Sequence, residues 1–327
     1  MSMPSNPVSA PLGGDQPAPH VPGARHRQLV AAAQARGAIV TAVVHPCDAL
    51  SLQGALAARD AGLILPILIG PPERIKSTAD AAGLSLDGVE IVAAAHSHAA
   101  ALRAVELVRE GRVQALMKGA LHTDEIMAAV VDKATGLRTE RRITHVFALD
   151  VPHYDKPLFI TDAAINIEPD LMTKRDIVQN AIDLAHALGI AAPKVALLSA
   201  VETVTPAIRS TVDAAALCKM ADRGQITGGL LDGPLAFDNA VSPEAARLKG
   251  ITSDVAGHAD ILVAPDMVSG NMIAKQLVYL AGAQCAGLAL GAAVPIILTS
   301  RADDLEARIA SAALACLFVA HRAGVQA

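Results

Sequence analysis

Aromatic side chains are nearly missing from this sequence, with no tryptophan, two tyrosines and four phenylalanines in 327 residues. Proteins that hold single-stranded nucleic acid stack bases on such rings, so a base-stacking platform is excluded. The net charge is −5. A phosphate backbone selects strongly basic surfaces, so no nucleic-acid partner is expected. The four cysteines, Cys47, Cys218, Cys285 and Cys316, are scattered and form no C-x-x-C pair. They read as small buried hydrophobes in a reduced, cytoplasmic setting. Apolar residues make up 52% of the chain, yet no run approaches the roughly 20 needed to span a bilayer, so no membrane segment is expected. No histidine pair has H-E-x-x-H spacing, and no metal site is expected. A G-x-x-x-x-G-K-[ST] loop is missing, which argues against a P-loop hydrolase. No G-x-G-x-x-G opens a helix, which argues against a nicotinamide site.

What is present is an α/β rhythm. Residues 1–24, rich in Pro, Gly, Ser and Ala, have few large apolar side chains to offset ordering entropy, and are expected to be a flexible tail. From Arg25 onward, short Val/Ile/Leu-rich runs alternate with helical spacing. Strands are expected at Ala38–Val44, Leu63–Ile69, Ala115–Met117, Thr144–Leu149, Leu158–Ile160, Val195–Leu198, Gly228–Leu231, Ile261–Ala264, Ala286–Leu290 and Pro295–Thr299. Helices are expected between them, the last over Leu305–Val319. The pattern implies a mostly parallel sheet with helices on both faces. So many strands exceed one compact sheet, which points to two α/β domains with a cleft between them.

Ligands of such folds sit beyond the carboxyl ends of strands. The polar residues in those places are Lys118, His122, Thr123, Arg138, Asp162, Asn166, Asp232, Asp238, Asn239, Asp266, Asn271, Lys275, Ser300 and Arg301. Lys118, Arg138, Ser300 and Arg301 together offer positive charge and donors for a small oxyanion such as free phosphate. Each has a plainer alternative. Ser300 at a strand-to-helix junction suits a helix N-cap, Ser269-Gly270-Asn271 a turn and cap, and Asp232 and Asp238 a loop held by backbone N–H groups.

Six stretches carry a resemblance: MKGALHT at Met117–Thr123, GLRTERRITHV at Gly136–Val146, TDAAINIEPD at Thr161–Asp170, LDGPLAFDNAVS at Leu231–Ser242, SGNMIAK at Ser269–Lys275 and PIILTSRADD at Pro295–Asp304. In this order they resemble the phosphate acetyltransferases and phosphate butyryltransferases, with GLRT, DGPLAFDNA and SRADD closer in form to the butyryl-type branch. The resemblance implies two α/β/α three-layer domains with a cleft between them, like those of isocitrate and isopropylmalate dehydrogenases. The first domain would comprise residues 25–148 plus 296–327, and the second residues 149–295. It implies a homodimer, no bound cofactor, and coenzyme A as substrate. The reaction implied is acyl-CoA plus phosphate giving acyl phosphate plus CoA, for a short acyl group.

The resemblance also assigns roles. Ser300 would donate to the carbonyl oxyanion, and Arg301, Arg138 and Lys118 would hold phosphate. Further substrate contacts would come from His122, Thr123, Asp238, Asn239, Asn271 and Lys275. Acetyl-type members carry an aspartate, proposed as base, seven residues after the Ser, where this chain has Ala307. A one-residue deletion brings Glu306 to that place, with Asp304 or Asp303 as substitutes. Two rival readings are a metal- or NAD-dependent dehydrogenase on the same fold and a non-catalytic acyl-CoA-sensing module.

Overall fold

The computed structural model describes residues 23–300 and 303–326, so the expected tail lies almost wholly outside the described residues. The chain opens with α1 (Ala24–Gln34), β1 (Ile39–Val44), α2 (Ala49–Asp60), β2 (Ile64–Gly70), α3 (Pro72–Ala82), β3 (Glu90–Ala93), α4 (Ser97–Arg109), β4 (Ala115–Lys118) and α5 (Thr123–Val130). Its middle contains β5 (Thr144–Asp150), β6 (Leu158–Thr161), α6 (Leu171–Ala187), β7 (Lys194–Leu198), α7 (Arg209–Asp222) and β8 (Leu230–Leu235). It ends with α8 (Phe237–Val241), α9 (Pro243–Leu248), β9 (Ile261–Val263), α10 (Met267–Ala281), β10 (Gln284–Leu290), β11 (Ile296–Ile297) and α11 (Leu305–Gln326). Short acidic side chains start several helices. Asp48, Asp170 and Asp266 accept from backbone N–H groups in the first turns of α2, α6 and α10, satisfying donors that have no intrahelical partner.

The strands form one eleven-stranded sheet in the order β3-β2-β1-β4-β11-β10-β5-β6-β9-β7-β8. Two separate sheets were expected from strand number. They are joined because β10 and β5 run antiparallel across the middle, from Gln284 opposite Asp150 to Leu290 opposite Thr144. The β10–β11 and β5–β6 pairings are also antiparallel, and all others are parallel. Three reversals turn the two parallel halves head to tail. Carboxyl ends of β1, β4 and β11 therefore lie at one edge, and those of β6, β9, β7 and β8 at the other.

Strand alternation divides the core. Ile39 and Val43 join a cluster that runs along the sheet beneath α2, α6 and α11, whereas Ala42 and Val44 join a second cluster with α4 and α5. In the other half, Leu158, Ile160, Ala196 and Leu198 build a third cluster with α10. At about 25 cal/mol per Å² of apolar area, burial on this scale is what offsets chain entropy in a domain of this size.

Two expectations need correction. The half-exposed edge strand β3 was not anticipated, because its four residues (EIVA) give no usable alternation. Pro295–Thr299 yields only the two-residue β11, and Leu298 and Thr299 lie outside it.

Candidate active site

The carboxyl ends of β1, β4 and β11 bring three loops together. Lys118 ends β4 in register with Val44 of β1, and β11 pairs with the preceding Leu116 and Met117. Gly119 follows, and a Cβ there would lie 2.3 Å from the Val44 carbonyl oxygen. Only glycine lets this loop approach so closely. Its N–H donates to Val44 O at 2.9 Å, and Ala120 N–H to His45 O at 2.9 Å. His45 is buried, adopts φ +54°, and sets Nδ1 3.2 Å from the Ala120 carbonyl. A non-glycine residue in the left-handed region marks a loop held by its surroundings.

The third loop carries Ser300. The Ser300 backbone N–H donates to Asp303 Oδ2 at 2.6 Å. Arg308, on the first turns of α11, donates from Nη1 to Thr299 Oγ1 at 2.9 Å and from Nη2 to Ser300 O at 2.7 Å. Burial pushes the Asp303 carboxyl above the usual carboxylate range, while the Ser300 N–H, Arg308 and Lys118 pull it down. The Cys285 thiol, near enough to feel the Asp303 charge, is pushed up to about 12 by burial, with that charge adding. A thiol in that condition is a poor nucleophile. Arg301 lies outside the described residues.

The remaining candidate acids have structural duties. Asp304 Oδ1 accepts from Ala307 N–H at 2.8 Å. Asp304, not Ser300, is thus the residue that caps α11, so the N-cap alternative for Ser300 does not hold. Glu306 is exposed, with Oε2 2.9 Å from Gln284 Nε2 at the start of β10. His122 and Thr123 open α5 on the rim of the same edge, where the His122 N–H donates to Glu125 at 2.7 Å.

Other expected site residues lie elsewhere. Arg138 forms an antiparallel bridge with Ala292, beyond the carboxyl end of β10. Ser300 follows the carboxyl end of β11, which runs antiparallel to β10, so Arg138 lies toward the opposite end of β10 from Ser300. Near that second edge lies the Thr161–Asn166 loop, where Asp162 accepts from Ala164, Ile165 and Asn166 N–H groups. Asn166 donates to Ile143 O at 2.9 Å, and Asn271 to Ala163 O at 3.0 Å. Asp266 accepts from Ser269 N–H at 2.8 Å and is the cap of α10, so Ser269, Gly270 and Asn271 lie within the helix and are not the turn and cap of the plainer alternative. Lys275 is exposed on α10. Exposed Asp238 lies 3.9 Å from Lys249, and buried Asn239 donates to Glu202.

Sequence reasoning missed His45 and Arg308, and it weighed Asp303 only as a substitute. For Arg308 a signal existed, since it is a charged residue facing inward on a helix whose inner face is otherwise mostly apolar. For His45 the signal lay only in backbone geometry. Among the described residues no group of three or more His, Cys, Asp or Glu side chains is arranged to hold a metal ion, and no helix is long and apolar enough to cross a membrane.

The family model described as phosphate acetyl/butaryl transferase matches residues 96–316. The chain is 61% identical to the phosphate acetyltransferase of Rhizobium meliloti over 92% of its own length and 96% of that protein's. It is 44% identical to the phosphate butyryltransferase of Clostridium acetobutylicum, over 81% and 89% of the two chains. Among solved structures, a branched-chain phosphotransacylase from Enterococcus faecalis superposes with a TM-score of 0.75 at 29% identity, covering 86% of this chain and 99% of that one. These identities do not support a place nearer the butyryl-type branch, because short loop strings weigh less than the whole chain. They favour an acyltransferase over a dehydrogenase or a sensing module, and with such matches along nearly its whole length the chain belongs to the phosphate acetyl/butyryl transferase family.

Proposed function

We propose that this acyltransferase moves an acetyl group directly between coenzyme A and inorganic phosphate at the sheet edge where β11 ends and α11 begins. The observation that carries the site is the meeting of a cation, a serine and a half-buried carboxylate at one sheet edge: Lys118, Ser300 and Asp303, with the Ser300 N–H 2.6 Å from Asp303 Oδ2. In the acyl-phosphate direction Asp303 accepts the proton of the CoA thiol. The thiolate attacks the acyl carbon, a C–S bond forms, the bond from the acyl carbon to the bridging oxygen breaks, and that oxygen leaves as part of phosphate. Ser300 donates to the carbonyl oxyanion, a contact whose loss costs about 2.7–4 kcal/mol. Lys118 and Arg301 hold the phosphate. Asp303 is favoured over Glu306, which is exposed and bound to Gln284, and over Asp304, which caps α11. The acetyl preference is supported by the 61% identity to an acetyltransferase.

Coenzyme A is a substrate on this reading, and no bound cofactor takes part. A homodimer is supported by α10, whose Val268, Met272, Tyr279 and Leu280 are all more than half exposed. A cytoplasmic setting is supported by four free cysteines. Division into 25–148 plus 296–327 and 149–295 is supported by the second and third core clusters, which fall on opposite sides of that boundary except for three residues of the 289–294 segment and partly buried Ile165 and Phe147. Purified protein given acetyl-CoA should release thiol only when phosphate is present, and faster than from butyryl-CoA. Thiol release without phosphate, or none from either donor, would overturn the reading.

A further inference from the structure

Arg308 is a buried cation, only 6% exposed. Taking a guanidinium out of water is costly unless its donors are all used. Here they are used on one short stretch of chain. Nη1 bonds Thr299 Oγ1 at 2.9 Å, Nη2 bonds the Ser300 carbonyl at 2.7 Å, and Nε reaches the Asp303 carbonyl at 3.4 Å. The planar fork of an arginine can grip three acceptors at once, which a lysine ammonium on a flexible stem cannot reproduce. Asp303, Asp48 and Asp304 supply the neighbouring negative charge. Within this grip, what bears on chemistry is Ser300, together with the carboxylate that its N–H holds.

A second observation comes from α2. Gly54 lies in the middle of this helix and is buried, and its backbone is not in the left-handed region. Glycine is a poorer helix former than alanine, so conformation gives no reason for it. Space does. A Cβ at Gly54 would lie 2.7 Å from Arg308 Cδ and 3.6 Å from its Cβ and Cγ. A free arginine would swing aside. This one is pinned at its far end by the hydrogen bonds to Thr299, Ser300 and Asp303, so moving its stem moves those residues.

We propose that Arg308, seated in the notch left by Gly54, is a positioning residue for acyl transfer, tying Thr299, Ser300 and Asp303 together so that Ser300 and Asp303 keep their reactive geometry. The inference rests on the role given to Ser300 above. It makes α2 a wall that supports the active site through Arg308.

The test compares four proteins by steady-state kinetics in both directions and by thermal melting: wild type, Arg308→Lys, Gly54→Ala and the double variant. Misplacement by about 1 Å costs on the order of 10²-fold, so Arg308→Lys should lower kcat by roughly tenfold to a hundredfold with little change in either KM. Gly54→Ala should lower kcat in the same manner although alanine favours the helix. Because both act on the placement of Ser300 and Asp303, the loss in the double variant should be well below the product of the single losses. A wild-type kcat in either single variant, or fully multiplicative losses, would overturn the inference. If Arg308→Lys fails to fold, the kcat of Gly54→Ala alone decides the question. Ser300→Ala serves as the reference. Normal turnover in that variant would sink the site reading itself, whereas impaired Ser300→Ala beside unimpaired Arg308→Lys and Gly54→Ala would sink only the positioning role.

Discussion

At Asp303, burial raises the carboxyl against three attractions, from the Ser300 N–H, Arg308 and Lys118. The balance fixes how the site should answer to pH. If Asp303 takes the thiol proton, the acid limb of kcat/KM with acyl phosphate and CoA reports its ionisation. Lys118 favours the charged carboxylate, so Lys118→Met removes a lowering influence and should move that limb to higher pH. An unmoved limb would remove Asp303 from the base role. Asp303→Asn should slow the same direction most at low pH and recover in part above about pH 8.5, where the thiol ionises unaided. Glu306→Gln, altering an exposed group bound to Gln284, should leave the profile unchanged. Ser300→Ala should lower kcat by roughly 10²–10³-fold without early melting, since the cap of α11 is Asp304.

At the scale of elements, α11 separates two duties that the sequence motif SRADD runs together. Asp304 satisfies the helix terminus, and Asp303 turns inward beside Ser300. Asp304→Ala should cost about 1 kcal/mol of stability through the lost cap, while Asp304→Ser, which keeps a capping oxygen, should restore it. Turnover of Asp304→Ser close to wild type would confirm the cap as its whole contribution; a large kcat loss at restored stability would instead make Asp304 the base. Strands were legible where apolar runs were long and ended in Gly or Pro, as at β1 and β2. They were illegible at β3, an edge too short for alternation. Residues after strand ends were also legible as polar clusters. Their grouping was not, because which end faces which edge depends on strand direction. Arg138 illustrates this: its motif reads as a phosphate clamp, but its pairing with Ala292 sets it at the far end of β10 from Ser300.

For the molecule as a whole, the antiparallel centre is what makes one body of two parallel halves, and His145 lies inside it. On β5 it stands opposite Ala289 of β10, and a Cβ on neighbouring Gly287 would lie 3.0 Å from its Nε2. Its ring packs edge-on against Phe147 at 4.4 Å between centroids, and Nδ1 has no hydrogen-bond partner among the described residues. Burial depresses its pKa from an ordinary 6.5 to about 4, although the nearby Asp162 charge pulls the other way. The folded chain therefore keeps His145 neutral in a range where the unfolded chain protonates it. Between about pH 6.5 and 4 the unfolded state binds more protons, so stability falls as pH falls. His145→Leu removes the ionisable ring. Whatever it does to stability at pH 7, its denaturation midpoint should fall less than the wild type's between pH 7 and pH 4.5. Equal falls in the two proteins would mean that the seam does not hold this histidine neutral, and that acid sensitivity arises from carboxylates elsewhere in the sheet.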